Sequence, residues 1–247
     1  VGGPGDGIAV RAGAAAQVFV ADPARPVLAG GDLHHLTKVL RLRSGEEVVA
    51  GDGRGTWCLC RFRGGPVDEG TALEPDGDVR REAPESAPVT VAFAPAKGDR
   101  PEWVVQKLTE VGVDRIVVLA ADRSVVLWEG ERAGKAVARL ERVASEAAAQ
   151  SRRVWLPEIL PPQSVSQAGK LAGLALAERG GEAPGPTVHA VAVGPEGGWS
   201  PAERALGLET VGLAEHVLRA ETASVAAAVL LCAGRSQRRA EGTVGPA

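Results

Sequence analysis

The stretch that decides the fold is V-H-A-V-A-V-G-P-E-G-G-W-S-P, Val188 to Pro201. Its first six residues read as a buried strand, because an apolar run of that length with little polar alternation suits a strand covered on both faces. Ser200, Pro201 and Glu203 then spell a helix start: a hydroxyl at the cap, proline at the first helical position and a carboxylate three residues after the cap. Between strand and helix lie three glycines, Gly194, Gly197 and Gly198, which let a ligand come close to bare backbone. The loop has no Gly-Lys-Ser/Thr ending and does not fit G-x-G-x-x-G, so neither a P-loop nor a dinucleotide fingerprint is present. A strand running through glycines into a helix belongs to an α/β fold, where ligands bind at the carboxyl ends of the strands.

A second segment downstream has the same form. Val211 to Leu218 is mostly apolar and is expected as a strand, with His216 inside it as a buried structural histidine. Arg219, Glu221 and Thr222 follow, and Ala223 to Ala233 is expected as a helix packed on small residues and closed by Gly234. Taken alone, Arg219 and Glu221 read more commonly as a plain surface ion pair.

The segments between Val89 and Ala177 alternate strand and helix signals. Val89 to Phe93 and Ile116 to Ala120 read as strands, and a helix between them is framed by Asp99, Glu102 and the stop Gly112, with Val104, Leu108 and Val111 on one face. A later helix buries Val137, Leu140, Ala144 and Ala147 and carries Arg132, Lys135, Arg139 and Arg142 on a second stripe. Leu171 to Ala177 is a further strand. Together these give a mostly parallel sheet of an α/β domain, expected over residues 81–240. Ahead of it, Val18–Val20, Glu47–Gly51 and Thr56–Phe62, with the turn G-D-G-R-G at Gly51 to Gly55, suggest a small β-barrel over residues 18–80. Residues 1–17 are Gly/Ala-rich and are expected as a weakly ordered lead, and Asp76 to Pro88 as a linker.

At 247 residues and 45% hydrophobic content the chain can bury sizeable cores, but aromatic residues make up only 3%. Base stacking on aromatic platforms therefore has little material, and any nucleic-acid recognition rests on charge and shape. The formal net charge of −3 argues against a wholly basic surface. Locally the balance reverses: Lys38, Arg41, Arg43, Arg54, Arg61 and Arg63 face only Glu46, Glu47 and Asp52 in one stretch. Arg132, Lys135, Arg139, Arg142, Arg152 and Arg153 face only Glu131, Glu141 and Glu146 in another. Two basic stretches on an acidic chain fit docking to a defined RNA, with no DNA partner expected. Cys58, Cys60 and Cys232 have neither disulfide nor zinc spacing, so no metal is expected and a reducing cytoplasm is the expected setting. Cys58, Cys60 and Phe62 read as the inward side of one strand. No membrane span and no signal peptide are read.

The two C-terminal segments, together with A-K-G-D-R-P-E-W-V-V-Q-K-L-T-E-V-G-V-D-R-I (Ala96–Ile116), S-E-A-A-A-Q-S-R-R-V-W-L-P-E-I (Ser145–Ile159) and H-H-L-T-K-V-L-R-L-R-S-G-E-E-V (His34–Val48), resemble the 16S ribosomal RNA uridine N3-methyltransferases of the SPOUT superfamily. The blocks stand in the family's order and span about Val18 to Gly234. The chain departs from the family at Ala214 and His216, where glycine and arginine are usual, and at Ala16 and Gln17, where an arginine is often found.

The resemblance implies a PUA-like RNA-binding barrel followed by an α/β domain with a C-terminal trefoil knot, a homodimer, and S-adenosylmethionine as methyl donor to N3 of a uridine in the 16S rRNA of the small (30S) ribosomal subunit. It implies cofactor contacts from Val193, Gly194, Pro195, Glu196, Gly197, Gly198, Leu213, Ala214, Val217, Leu218, Arg219 and Ala220. Arg219 is then the first candidate for stabilising charge on the base, and Glu221 for orienting that arginine or accepting a proton. Glu196 would serve the sulfonium or shape its loop. His34, Lys38, Arg41, Arg43, Lys97, Arg152 and Arg153 are the expected RNA contacts. Two other readings remain open: an RNA-binding assembly factor of the same fold, and a tRNA methyltransferase of the same superfamily.

Overall fold

The computed structural model describes residues 4–64, 68 and 70–243. The chain divides into two units, Val1–Pro84 with Ser145–Leu156, and Glu85–Ala144 with Pro157–Ala247. The first boundary falls four residues beyond the one read from the sequence, and nothing in the sequence announced that Ser145–Leu156 joins the first unit.

The first unit begins with helix α1 (Pro4–Gly13) and strand β1 (Ala16–Phe19), where a weakly ordered lead was expected. Alanine favours helix, and Arg11, only 4% exposed, ties α1 down by pairing with Glu82 and stacking its guanidinium 5.0 Å from the Trp57 ring. Helix α2 (Gly30–His34), a π-helical turn (His35–Val39), β2 (Glu47–Gly51), β3 (Thr56–Phe62), β4 (Leu73–Pro75) and β5 (Arg80–Arg81) follow. The sheet runs β1-β2-β3-β4, with β5 also paired to β3. At the turn between β2 and β3, Asp52 accepts backbone hydrogen bonds from Arg54 (2.7 Å) and Thr56 (3.0 Å). Cys58, Cys60 and Phe62 do face one core, with Val18, Leu28, Leu36, Val48 and Ala50. Burial, and then the neighbouring Cys58, push the Cys60 thiol up to about 12, so it stays protonated and inert.

The second unit is a six-stranded sheet in the order β11-β9-β10-β6-β7-β8, and every recorded pairing in it is parallel. Its elements are β6 (Thr90–Phe93), α3 (Arg100–Val111), β7 (Arg115–Leu119), α4 (Gly130–Gln150, whose last turns belong to the first unit), β8 (Glu158–Gln163), α5 (Val165–Ala168), β9 (Leu174–Glu182), β10 (Ala190–Val193), α6 (Pro201–Arg204), β11 (Glu209–Val211) and α7 (Ala220–Thr243). Alternate strand residues feed two cores. Val91, Phe93, Ile116, Val118, Val191 and Val193 pack with α3, α4 and α7 on one face. Ala92, Val117, Leu119, Ala190 and Ala192 pack with α5 and Trp199 on the other. α3 stops at Gly112, whose φ of 109° is the left-handed cap that glycine accepts without strain. α7 is held to the sheet by Arg235, which pairs with Asp114 and donates to the carbonyl of Gly112.

Three expectations are corrected here. β8 was not foreseen, because Pro161 and Pro162 argue against a strand; they are tolerated since β8 is the edge of the sheet. The strand expected over Val211–Leu218 ends at Val211. There Gly212 crosses Gly181 so closely that a Cβ on Gly212 would lie 2.1 Å from the Gly181 carbonyl oxygen, and residues 212–219 form a loop. Gly234 does not close α7, which runs on to Thr243.

Candidate functional site

Beyond the carboxyl ends of β10 and β11, and along β9, lies a cavity of about 490 Å³ within the second unit. Three segments line it: Ala177–Arg179 of β9, the loop after β10 from Val193 to Trp199, and the loop after β11 with the start of α7 from Leu213 to Ala223. Of the expected cofactor residues, Val193, Gly194, Pro195, Glu196, Gly198, Leu213, Ala214, Val217, Leu218, Arg219 and Ala220 all border the cavity. Gly197 is not among the lining residues; its carbonyl accepts a 2.9 Å hydrogen bond from Arg123 Nη1.

The first loop is held by the helix start read from the sequence. Ser200 and Glu203 form a reciprocal capping box on α6. The Glu203 carboxylate, 5% exposed as a residue, accepts from Ser200 N at 2.7 Å through one oxygen and from Asp122 N at 2.9 Å through the other. The Ser200 hydroxyl donates in turn to Asp122. Trp199, 3% exposed, donates its indole N–H to the Ala177 carbonyl at 3.0 Å and lays its ring against Gly194, where a Cβ would meet ring carbons at 3.1 Å. One glycine and one tryptophan thus tie the loop to β9.

The cavity wall is mainly apolar with a few polar groups, and its volume is within the several-hundred Å³ typical of small-molecule sites. Glu178 is neutralised by a two-pronged pairing with Arg204 (2.6 and 2.7 Å). Arg219 is exposed and has no ion pair or side-chain hydrogen bond among the described residues, so its five donors face solvent or a ligand. Glu221 follows the lining residue Ala220 in the chain and is not itself among the lining residues. Its Oε2 is buried with no hydrogen-bond partner among the described residues, and its Oε1 lies 4.0 Å from Arg100 Nη1. The carboxylate expected to orient Arg219 thus pairs with Arg100. His216 is exposed and borders the cavity, contrary to the expected buried histidine, because the strand ends before it.

The expected RNA contacts divide. In the first unit His34 at the end of α2, Lys38 on the π-helical turn, and Arg41 and Arg43 after it are all exposed, and Arg41 holds a left-handed φ of 55°. Such backbone is uncommon for a non-glycine residue. Arg152, also in that unit, turns inward. It donates to the carbonyls of Ala149 (2.8 Å), Ala14 (2.9 Å) and Ala15 (3.1 Å), and burial lowers its pKa. Arg152 therefore holds Ser145–Leu156 in place with the donors expected to meet phosphates. Arg153 is half-buried, and its carbonyl accepts from the side chain of Gln17. In the second unit Lys97 is exposed in the loop before α3. Among the described residues no group of three metal-ligating side chains occurs, and no helix is long and apolar enough to cross a membrane.

The sequence reading missed Arg100, Arg123, Ala177–Arg179 and Trp199. Position alone could have signalled most of them: Arg123 follows the strand run Ile116 to Ala120, and Glu178 and Arg179 follow the run that ends at Ala177, the end of a parallel sheet where ligands sit.

A model of the RNA methyltransferase domain matches residues 83–232, and a model of the RNA methyltransferase PUA domain matches residues 28–64. Ribosomal RNA small subunit methyltransferase E of Mycobacterium tuberculosis is 33% identical over 223 residues, 81% of this chain and 83% of that protein. The Bacillus subtilis protein of that name is 30% identical over 141 residues, 57% of this chain, and the match spans about half (54%) of the relative. Among solved structures, a probable rRNA-methyltransferase from Porphyromonas gingivalis superposes with a TM-score of 0.73 at 26% identity, over 91% of this chain and 100% of that one. A Legionella pneumophila structure solved with the bound cofactor SAM gives a TM-score of 0.73 at 25% identity, over 88% of this chain and 96% of that one. With its domain match over more than half its length and a relative one-third identical over most of both chains, this chain belongs to the RNA methyltransferase family that includes ribosomal RNA small subunit methyltransferase E.

Proposed function

We propose that the chain transfers a methyl group from S-adenosylmethionine to N3 of a uridine in the 16S rRNA of the small ribosomal subunit. The observation that carries this reading is the meeting of the two C-terminal segments around one cavity, with glycines and apolar side chains on its wall and Arg219 among its residues. The cofactor fits that donor set: glycines and apolar residues suit an adenosine, and Glu196 supplies a carboxylate for a sulfonium. When bound, the cofactor supplies a methyl group on positively charged sulfur and leaves as a neutral thioether.

The chain's own residues then have separable tasks. Val193–Gly198 and Leu213–Ala220 hold the donor in register with the acceptor, which contributes a large share of the acceleration in a bimolecular displacement. Uridine N3 carries a proton between two carbonyls, so that proton must leave before the N3 electron pair can form the new N–C bond. Arg219 stabilises the negative charge on the flanking carbonyls. Glu221 is the candidate carboxylate for accepting the proton. His34, Lys38, Arg41, Arg43, Lys97 and Arg153 contact phosphates, which positions the RNA while its shape and a flipped-out uridine give selectivity.

The exposed Trp103 on α3 and Val229 and Leu230 on α7 support a homodimer, since large apolar side chains on adjoining helices suit burial by a second copy. The trefoil knot and a cytoplasmic setting belong to the same reading, the latter supported by the buried thiols of Cys58 and Cys60. Calorimetric titration with S-adenosylmethionine tests the function. Micromolar binding together with methyl transfer to small subunits supports it. Binding to the subunit without cofactor affinity would favour the assembly factor suggested by Ala214 and His216, and methylation of tRNA but not rRNA would favour the tRNA enzyme.

A further inference from the structure

Arg100, at the first position of α3, brings one nitrogen close to two carboxylates from different segments. Its Nη1 is 3.9 Å from Glu196 Oε1 in the loop after β10 and 4.0 Å from Glu221 Oε1 at the start of α7. These contacts are too long, and Arg100 too exposed at 47%, to matter much for global stability. Their effect is positional. Glu196 and Glu221 bear like charge on two segments that border the same cavity, and they would push each other away without a cation between them. Among the described residues Glu221 has no other ion pair, its second oxygen is buried without a partner, and Arg100 is the one cation that directs the carboxylate.

We infer that Arg100 is a positioning residue for methyl transfer, setting the Glu221 carboxylate and tying the glycine loop to the start of α7. The inference rests on the functional reading above. It concerns a side chain that borders neither the cavity nor the reacting atoms, so Arg100 acts only through its two partners. Because one nitrogen serves both carboxylates, the contact depends on a point charge and not on the planar two-pronged fork that usually makes arginine irreplaceable. A lysine at this position therefore replaces arginine, and a glutamine does not.

The test compares wild type, Arg100→Gln and Arg100→Lys in single-turnover and steady-state methyl transfer, and in amide hydrogen exchange of the protein without ligand. Arg100→Gln is expected to lower kcat about tenfold or more, the loss of roughly one well-placed electrostatic contact, with KM for the RNA within about twofold. Exchange at residues 194–198 and 220–223 rises in the same variant. Arg100→Lys restores both to within about threefold of wild type. Arg100→Gln lowers kcat by a smaller factor in the Glu221→Gln background than in wild type, as required if the arginine acts in part through that glutamate. An active wild type whose Arg100→Gln variant keeps its kcat and exchange pattern overturns the inference, as does an Arg100→Lys variant no better than Arg100→Gln. If Arg100→Gln does not fold, the exchange and kcat of Arg100→Lys decide alone. An inactive wild type that folds and binds small subunits would instead sink the functional reading.

Discussion

Replacing Glu203 by alanine removes the acceptor on which the loop after β10 hangs. The two carboxylate oxygens each take one backbone N–H, from Ser200 at 2.7 Å and Asp122 at 2.9 Å, in a residue 5% exposed. A buried donor stripped of its acceptor costs about 1–3 kcal/mol. Asp122 is itself exposed, so its N–H is partly rehydrated and the sum falls to about 2–4 kcal/mol, in the range of a lost cap with an added long-range contact. At about 1.4 kcal/mol per tenfold, the Ser200 and Asp122 amides should exchange roughly thirty to several hundred times faster in Glu203→Ala. Glu203→Gln keeps one acceptor oxygen and should lose about half of that free energy. Affinity for S-adenosylmethionine should fall in the same order, because Gly194–Trp199 is anchored through this box and through Trp199. Unchanged exchange at both amides in Glu203→Ala would refute the reasoning, since it would mean that neither hydrogen bond restrains the loop.

Other perturbations probe separate parts of the account. Gly212→Ala forces a Cβ to 2.1 Å from the Gly181 carbonyl oxygen, where only backbone movement gives relief; it should destabilise by about 1–3 kcal/mol in urea denaturation and weaken cofactor binding. Leu230→Glu, at a residue 38% exposed on α7, should shift the sedimentation of a dimer toward monomer while leaving circular dichroism unchanged. At Asp52 burial pushes the carboxyl up, but hydrogen bonds from Arg54 and Thr56 outweigh it and hold the pKa below the ordinary 3.8. Its contribution is thus present above the unfolded-state value and is lost as pH falls through the depressed folded value, so Asp52→Asn should flatten the acid end of the stability profile.

Much of the fold was legible in the sequence because local and tertiary signals agree there. β2 and β3 begin and end where the alternation of Glu47–Gly51 and Thr56–Phe62 places them, and the Ser200/Glu203 box caps α6 as its spacing requires. The failures have physical causes. The prolines of β8 mask an edge strand, and the apolar character of Val217 and Leu218 imitates a strand although Val217 is 74% exposed. The lead looked formless because its order comes from Arg11 reaching Glu82 and Trp57, partners far away in sequence. The candidate site was legible to the extent that it is made of contiguous segments. Val193–Gly198 and Leu213–Ala220 could be read in line, whereas Arg100 and Arg123 come to the loop only through the sheet's connectivity, and the inward turn of Arg152 depends on carbonyls of Ala14 and Ala15.

The central claim is that this cavity delivers a methyl group to uridine N3 in small-subunit rRNA, and labelled transfer followed by nucleoside analysis tests it most directly. Small subunits from cells lacking the modification, incubated with labelled S-adenosylmethionine and the protein, should yield label in 3-methyluridine from 16S rRNA. Arg219→Ala should lower the rate by about a hundredfold or more, as for loss of a donor to developing charge. Label in any other nucleoside, no transfer at all, or an undiminished rate in Arg219→Ala would contradict the account.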